Sequence, residues 1–376
     1  MSLPEAWLAL RDRCLTSSRF RDWAAAFPLT RFIARRNASA IFDLCNGFVY
    51  SQVLLACVQS GLLVRLRASR ASLQALAATL QMPAEATQRL LDAALALHLV
   101  QRRGSEAQQP LYGLGAQGAM IVGNPAVLAM ISHHALLYRD LQDPLALLRG
   151  QLPSTLLREY WAYARNGAPS GLAAEGTSDY TALMAGSQAL VAGEILAAHD
   201  LGSYRCVLDV GGGNGQFLRS ALTATPGLHA MLFDLPAVAD SSRAHFEAAG
   251  LTNRVQITGG DFFKDPLPSS ADLVTLVRVL HDHDDGPALQ LLRAIRRALP
   301  PGGRLLIAEP MGSDGGPERV ADAYFGFYLL AMGQGRARSP AQICALLAAA
   351  GFAAPRELLT HVPLQTRVLL SVVDPN

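Results

Sequence analysis

A turn rich in glycine constrains the fold of this chain more than any other feature of its sequence. The apolar run 206–208 ends in Asp209, and glycines occupy positions 211 to 213 and 215. Because glycine has no side chain, it permits backbone conformations with positive φ and lets the main chain approach a ligand closely. A strand, a glycine turn and a helix in this order are typical of open α/β sheets, whose ligands bind outside the carboxyl ends of the strands.

The rest of the second half supports that assignment. From residue 203 onwards, short apolar runs alternate with amphipathic segments, which is the pattern of a parallel sheet covered by helices. The predicted strands are 205–210, 230–234, 255–258, 273–279, 304–309 and 368–373, with helices between them that include 286–298 and 340–350. We therefore predict that residues 201–376 form a Rossmann-like α/β domain with a parallel sheet.

The first 200 residues have a helical pattern and are predicted to form a separate domain. Within it, residues 69–122 follow the order helix, turn, helix and hairpin of a winged helix, with helices that begin at Ser72 and Pro83. A DNA-reading helix should present basic and amide side chains to the groove. The second helix offers Gln88 and Arg89 among alanines and leucines, so a dimerisation domain is favoured over a DNA-binding regulator.

Charge, cysteines and hydropathy bound the other properties of the chain. A net charge of +2 gives no electrostatic case for nucleic acid as the main partner, and five scattered cysteines suit a reducing cytosol. No charge lies between Asp43 and Arg65, but polar residues such as Asn46 and Gln52 are costly in hydrocarbon. This segment predicts a buried or subunit-interface helix rather than a membrane span. The chain is predicted to form a cytoplasmic homodimer, and contact with a membrane surface is left open.

The spacing of the glycines argues against a dinucleotide as the ligand. The G-x-G-x-x-G pattern of nicotinamide enzymes needs glycine where this chain has Gln216. Asp209 instead precedes the glycines, where it would repel a pyrophosphate and suit the ammonium of a methionine moiety. Asp234 ends the second strand, from which a carboxylate can accept both hydroxyls of a ribose, and Asp261 follows the third strand beside Phe262. Each aspartate alone is commonly a cap or turn residue, whereas three at consecutive strand ends favour a nucleoside cofactor.

Several blocks together resemble the small-molecule O-methyltransferases typified by plant caffeate and bacterial acetylserotonin-type enzymes. The blocks are 207–213, 233–236, 260–263, 278–282 and 299–303. The resemblance implies S-adenosylmethionine as the cofactor and a winged-helix dimerisation region in the first half. The residues that it predicts to bind the cofactor are Asp209, Gly211, Gly213, Asp234, Leu235, Asp261, Phe262 and Arg278.

The same resemblance implies that His281 is the general base. A sulfonium already activates its methyl group, so the enzyme mainly has to align an oxygen and remove its proton, for which histidine is well suited near neutral pH. The alternatives are a surface histidine in the acidic loop 282–285, or a metal site, although no second ligand cluster accompanies it. Ala337 stands where the plant enzymes have a glutamate, which leaves Glu309 to orient the imidazole as the second catalytic residue.

The predicted acceptor pocket is apolar. The aromatic residues before position 332 would ordinarily indicate a helix in the core, but in this family that helix lines the acceptor pocket. The residues predicted to line it are Tyr324, Phe325, Tyr328 and Met332. The first-domain segments 27–31, 41–44 and 47–52 look like bacterial carotenoid O-methyltransferases, which methylate the tertiary 1-hydroxyl of acyclic carotenoids such as demethylspheroidene or hydroxyneurosporene. Bacteriochlorophyllide methyltransferases are the nearest alternative.

Overall fold

The chain divides into two units, Met1–Gly123 and Asn124–Asn376, in a computed structural model that describes residues 3–106, 109–166, 187–316, 319–362 and 366–373. The boundary predicted at residue 200 falls inside the second unit. The reason is that helices between residues 125 and 166 pack within this unit, where Thr155 donates a hydrogen bond to the carbonyl of Ala331. The assignment of 1–200 and 201–376 as functional domains stays a prediction.

The first unit contains seven helices and a small antiparallel sheet among its described residues. The helices are α1 (Leu3–Thr16), α2 (Ser18–Ala26), α3 (Arg31–Gln59), α4 (Leu62–Ala68), α5 (Leu73–Leu80), α6 (Ala84–Ala96) and α7 (Ala116–Val122). The strands β1 (Ala71–Ser72), β2 (Val100–Glu106) and β3 (Gln109–Leu114) pair in the order β1-β3-β2. The Ser72 hydroxyl caps α5. Because α5, α6 and the hairpin of β2 and β3 follow one another along the chain, the predicted order of helix, turn, helix and hairpin is confirmed.

Helix α3 presents an unusually apolar surface. Its 29 residues are long and apolar enough to cross a membrane by length and composition alone. Leu55 and Cys57, near its end, are buried, and Cys57 belongs to the core of the first unit, whereas Phe42, Leu44 and Phe48 are exposed. An exposed apolar surface of this kind marks an interaction site.

The second unit is built on a seven-stranded sheet. Its strands are β4 (Cys206–Val210), β5 (His229–Asp234), β6 (Val255–Gly259), β7 (Leu273–Val277), β8 (Arg304–Glu309), β9 (Arg356–Leu358) and β10 (Arg367–Val372). They lie in the order β6-β5-β4-β7-β8-β10-β9. The five strands β4 to β8 are parallel, and β10 is antiparallel to both of its neighbours. The six predicted strands and the largely parallel sheet are confirmed.

Helices cover both faces of this sheet. The helices of the unit are α8 (Pro125–Asp140), α9 (Pro144–Leu148), α10 (Leu156–Asn166), α11 (Ser187–Ala198), α12 (Gln216–Ala224), α13 (Pro236–Ala248), α14 (Asp285–Ala298), α15 (Gly326–Met332) and α16 (Pro340–Ala349), with a π-helix at Arg319–Phe325 before α15. Helices α14 and α16 pack on one face of the sheet and α11, α12 and α13 on the other, whereas α8, α9, α10 and α15 share a third cluster. Side chains of β4 alternate between two core clusters, since Leu208 and Val210 join one and Val207 the other. Both faces are therefore buried, as expected for parallel strands.

The glycine turn lies where the strand order reverses, between β4 and β7. Gly211, Gly213 and Gly215 all have positive φ, between 59° and 75°. A side chain at Gly215 would also overlap the ring of Phe246 on α13. Glycine is therefore required here for backbone conformation and for the close packing of α12 and α13 against the sheet.

We expect Gly215→Ala to lower the free energy of unfolding by about 2–3 kcal/mol, because it combines positive φ with a clash against a buried ring. Gly286→Ala is the matched control, since nothing lies within 4 Å of its added methyl group in α14. Urea denaturation of both variants measures the difference. Equal stability of the two would contradict the packing described for the turn.

Candidate active site

The turn after β4 holds Asp209 on its buried side. The N–H of Gly211 donates to the carbonyl of Phe233 at 2.8 Å, which ties the turn to β5. Oδ1 of Asp209 accepts a hydrogen bond from Thr275 at 2.7 Å, and its carboxylate is fully buried. Burial raises the pKa of Asp209 to about 7 against the opposing effect of the Thr275 hydroxyl. Asp209 lies in β4 just before the turn, and its side chain ties β4 to β7 through Thr275.

Asp234 at the end of β5 binds the same turn from the other side. Its Oδ2 accepts from the N–H of Gly213 and its Oδ1 from the N–H of Leu235, both at 2.7 Å. Burial raises the pKa of Asp234, while the two backbone N–H groups oppose that rise. Each carboxylate oxygen keeps a further lone pair, so the group can still accept the two hydroxyls of a ribose.

Asp261 and Phe262 follow β6. The carboxylate of Asp261 pairs with Lys264 at 2.8 Å and accepts from the N–H of Phe263 at 3.0 Å, and both interactions lower its pKa. The Phe262 ring lies 4.7 Å from that of Phe263 and 5.6 Å from that of His283, each in an edge-on arrangement. An aromatic, half-buried wall beside a fixed carboxylate suits the stacking of an adenine.

Arg278 directly follows β7 and has an unusual backbone conformation. Its φ of 59° is one of three positive values at non-glycine positions among the described residues. The N–H donates to the carbonyl of Ala308 at 2.8 Å, and Nη1 donates to the hydroxyl of Ser187 at 3.2 Å. Backbone strain of this kind costs about 1 kcal/mol or more and is concentrated at functional sites. Here it ends β7 and directs the following residues into the loop that carries His281.

His281 is buried between two carboxylates. Oε2 of Glu309, at the end of β8, accepts the backbone N–H of His281 at 3.0 Å and lies 3.4 Å from its Nδ1. Oδ1 of Asp282 lies 3.2 Å from Nε2 on the other side of the ring. Among the described residues, Nδ1 of His281 and Oε1 of Glu309 are buried without a hydrogen-bond partner. Such groups are rare in proteins and are concentrated where function requires them.

These carboxylates set the charge of the imidazole. Burial lowers the pKa of His281, but the negative charges of Asp282 and Glu309 outweigh it and raise the pKa to about 9. The charge of His281 in turn offsets the effect of burial on Asp282, whose pKa is lowered. In this arrangement the ring is a cation near neutral pH, so its use as a base requires Nε2 to lose a proton and separate from Asp282.

The loop that carries His281 is fastened by a buried arginine. The guanidinium of Arg338 donates to the carbonyls of Leu280 at 3.1 Å and His283 at 2.8 Å, and to Oδ1 of Asp285 at 2.7 Å. Beside it, the N–H of Arg336 donates to the carbonyl of His281 at 2.9 Å. Sequence reasoning missed this anchor. The available signal was the opposite charge of two segments, the arginines of 335–339 and the aspartates of the acidic loop 282–285.

The predicted acceptor residues form one aromatic cluster. Rings of Tyr324 and Phe325 lie 5.0 Å apart, and Phe325 lies 6.1 Å from the His281 ring. Tyr328 and Met332 are buried in the same cluster. The structure therefore brings these four residues together on the side of the site where Phe325 meets His281.

The two tyrosine hydroxyls of this cluster are already hydrogen bonded. The Tyr328 hydroxyl accepts from Nε1 of Trp161 at 2.9 Å and lies 2.7 Å from Nε2 of His133, while the Tyr324 hydroxyl lies 2.8 Å from Nε2 of His134. Burial lowers the pKa of His133 to about 4, so this ring is neutral and its Nε2 accepts a hydrogen bond from the Tyr328 hydroxyl. Sequence reasoning missed both histidines, because contacts across about 190 residues carry no local signal.

No group of three or more metal-ligating side chains is found within the part of the chain that the structure describes. The buried histidines are accounted for otherwise, since His281 lies against carboxylates and His133 and His134 against tyrosines.

Comparison with known proteins assigns the family. Residues 138–353 match the O-methyltransferase domain, and residues 42–124 match the O-methyltransferase dimerisation domain. The chain belongs to the O-methyltransferase family. Among its relatives, the demethylspheroidene O-methyltransferase of Cereibacter sphaeroides is 42% identical over 340 residues, covering 90% of this chain and 88% of that protein. Its counterpart in Rhodobacter capsulatus is 39% identical over 359 residues, covering 95% and 88%.

Solved structures agree with this assignment. Human N-acetylserotonin methyltransferase in complex with S-adenosylmethionine has a TM-score of 0.74 and 25% identity, covering 90% of this chain and 98% of that one. This protein is accordingly an O-methyltransferase that uses S-adenosylmethionine, an assignment favoured over a nicotinamide enzyme or a DNA-binding regulator. The observed residues fit that cofactor, since the turn is open to close approach and Asp234 retains free lone pairs.

We expect Asp282→Asn in this O-methyltransferase to lower the pKa of His281 by about 1–2, because an adjacent anion that stabilises the imidazolium is removed. Nuclear magnetic resonance titration of the imidazole measures the change. Asp240→Asn is the control, because this exposed carboxylate pairs with Arg243 away from the site. An unchanged His281 pKa in Asp282→Asn would show that Asp282 does not hold the proton on Nε2.

Proposed function

We propose that this O-methyltransferase transfers a methyl group to the tertiary 1-hydroxyl of an acyclic carotenoid such as demethylspheroidene or hydroxyneurosporene. The observation that carries the proposal is the aromatic cluster of Tyr324, Phe325, Tyr328 and Met332 beside His281, whose tyrosine hydroxyls are occupied by His133, His134 and Trp161. In a wall of this kind, a hydrocarbon chain can pack against aromatic rings that present no free polar groups. Relatives named for demethylspheroidene, at 39–42% identity, support the same acceptor.

In this proposal, the ends of the parallel strands hold the cofactor. Gly211 and Gly213 admit it close to the main chain, Asp234 accepts the ribose hydroxyls beside Leu235, and Asp261 and Phe262 contact the adenine. When bound, S-adenosylmethionine supplies a methyl group on a positively charged sulfur. Two further residues complete the predicted set, Arg278 as a cation for the carboxylate end and Asp209 behind the turn. Because Asp209 is buried, its contact with the ammonium stays a prediction.

His281 removes the acceptor's proton. Neutral Nε2 accepts this proton from the hydroxyl as the hydroxyl oxygen attacks the methyl group. Glu309 holds the loop through the backbone N–H of His281 and keeps Nδ1 of the ring oriented. A tertiary alcohol is a weak acid, so the proton leaves as the new carbon–oxygen bond forms rather than before it. The surrounding apolar cluster excludes water, which would otherwise compete with the acceptor.

The proposed assembly is a cytoplasmic homodimer. Residues 42–124 match a dimerisation domain, and α3 carries exposed apolar side chains that a partner subunit would cover, including Phe42, Leu44 and Phe48. Burial of such a surface between two copies is the usual basis of a two-fold dimer.

The test of the acceptor is incubation with labelled S-adenosylmethionine and a panel of hydroxycarotenoids, bacteriochlorophyllides and phenols. Label in the 1-hydroxyl of acyclic carotenoids is the expected result. Label in a bacteriochlorophyllide or a phenol, without label in any carotenoid, would replace the proposed acceptor while leaving the methyltransferase activity intact.

We expect His281→Ala to lower turnover by about 10²–10⁴, the usual contribution of a general base, with cofactor affinity nearly unchanged. Glu309→Gln should also impair turnover, because the imidazole loses the charge that orients it.

Asp234→Ala is the complementary variant, and it should weaken cofactor binding by about 1.5–3 kcal/mol. Steady-state kinetics and calorimetry separate the two effects. Near-normal turnover of His281→Ala would remove its assignment as the base.

A further inference from the structure

The first 36 residues carry an exposed aromatic surface that the methyltransferase reaction does not use. Residues 3–36, here called the N-terminal arm, comprise α1, α2 and the start of α3. In the arm, Trp7 is 62% exposed, Trp23 53% and Phe32 64%. The match to the dimerisation domain begins only at residue 42, so the arm lies outside the region that this match assigns to subunit pairing.

The arm is also strongly basic. Residues 1–36 contain seven arginines and three acidic residues, which gives them a net charge of +4 in a chain whose total is +2. The remainder of the chain therefore has a net charge of −2. Arg13, Arg19, Arg31, Arg35 and Arg36 are all exposed. The positive charge is thus concentrated where the exposed tryptophans lie.

Helix α2 combines both features within nine residues. Its aromatic residues form one stripe, in which the rings of Phe20 and Trp23 lie 5.7 Å apart and those of Trp23 and Phe27 5.2 Å apart. Arg19 and Arg21 flank Phe20 in sequence, so they leave the helix about 100° to either side of it. Aromatic residues on one stripe with arginines on both flanks are typical of helices that lie in a membrane interface.

We propose that the N-terminal arm binds an anionic membrane surface, with its aromatic residues at headgroup level and its arginines against lipid phosphates. Pairing of the arm with its copy in a second subunit is disfavoured, since it would bring two segments of charge +4 together. An anionic lipid surface complements that charge, and the interface accommodates tryptophan well. The benefit of such binding rests on the proposed function, because an acyclic carotenoid dissolves in the membrane.

The test is cosedimentation of the full chain with vesicles of phosphatidylcholine alone and of phosphatidylcholine mixed with phosphatidylglycerol. We expect binding to the mixed vesicles, weakened by salt, and little binding to the neutral ones. Arg13→Gln with Arg19→Gln should lower the partition coefficient roughly 25-fold, at about fivefold for each charge. The matched control is Arg89→Gln with Arg243→Gln, two exposed arginines outside the arm, which should bind as the unmodified protein does.

A second measurement locates the contact in the arm. Trp7 and Trp23 are two of the three tryptophans of the chain, so brominated lipids should quench most of its fluorescence on binding. Equal binding to neutral and anionic vesicles, or unchanged binding of the Arg13 and Arg19 variant, would overturn the proposal. Light scattering that finds this variant monomeric would do so as well, by assigning the arm to subunit pairing.

The vesicle result is independent of the acceptor. Binding is measured without any carotenoid, so a failure of carotenoid methylation would leave it unchanged. Conversely, the Arg13 and Arg19 variant should methylate a detergent-dispersed hydroxycarotenoid at the rate of the unmodified protein, because the arm contributes no residue to the proposed chemistry. A loss of turnover in detergent would contradict a role confined to membrane binding.

Discussion

Two carboxylates that bind backbone N–H groups at the ends of parallel strands, Glu309 fully buried and Asp234 partly buried, organise the whole site. Asp234 fixes the turn after β4 through Gly213, and Glu309 fixes the loop after β7 through the N–H of His281. A buried carboxylate is tolerated only when it is hydrogen bonded, so each one fixes the loop that satisfies it. The glycine turn and the loop that carries His281 are therefore positioned by the same kind of contact, in each case from the end of the adjacent strand, β5 for the turn after β4 and β8 for the loop after β7.

Local sequence signals predicted the second unit well, because they report backbone requirements. The glycine turn, the alternation of strands with helices and the aspartates at strand ends were all read within windows of a few residues. Strand β9 was missed because Arg356–Leu358 is too short to show a period. Arg338, His133 and His134 were missed for a different reason, since their partners lie far away in sequence and are chosen by folding alone.

The aromatic cluster of Tyr324, Phe325, Tyr328 and Met332 also links helices of the second unit. Neutral His133 and His134 occupy the tyrosine hydroxyls, and in doing so they connect α8 to the π-helix and α15. Any shift of α8 would therefore move the ring surfaces beside His281. The packing of α8 and α10 with α15 places these helices in the second unit, which begins at Asn124.

Lys264, which pairs with Asp261, makes this protein suitable for labelling at a single site. Lys264 is the sole lysine of the chain, and its side chain is 80% exposed. Amine-directed reagents thus find a single side-chain target, which lies at the rim of the proposed adenine pocket. A fluorophore or crosslinker attached there would sit beside the cofactor without the introduction of any cysteine, and its attachment rate would respond to whether that rim is covered.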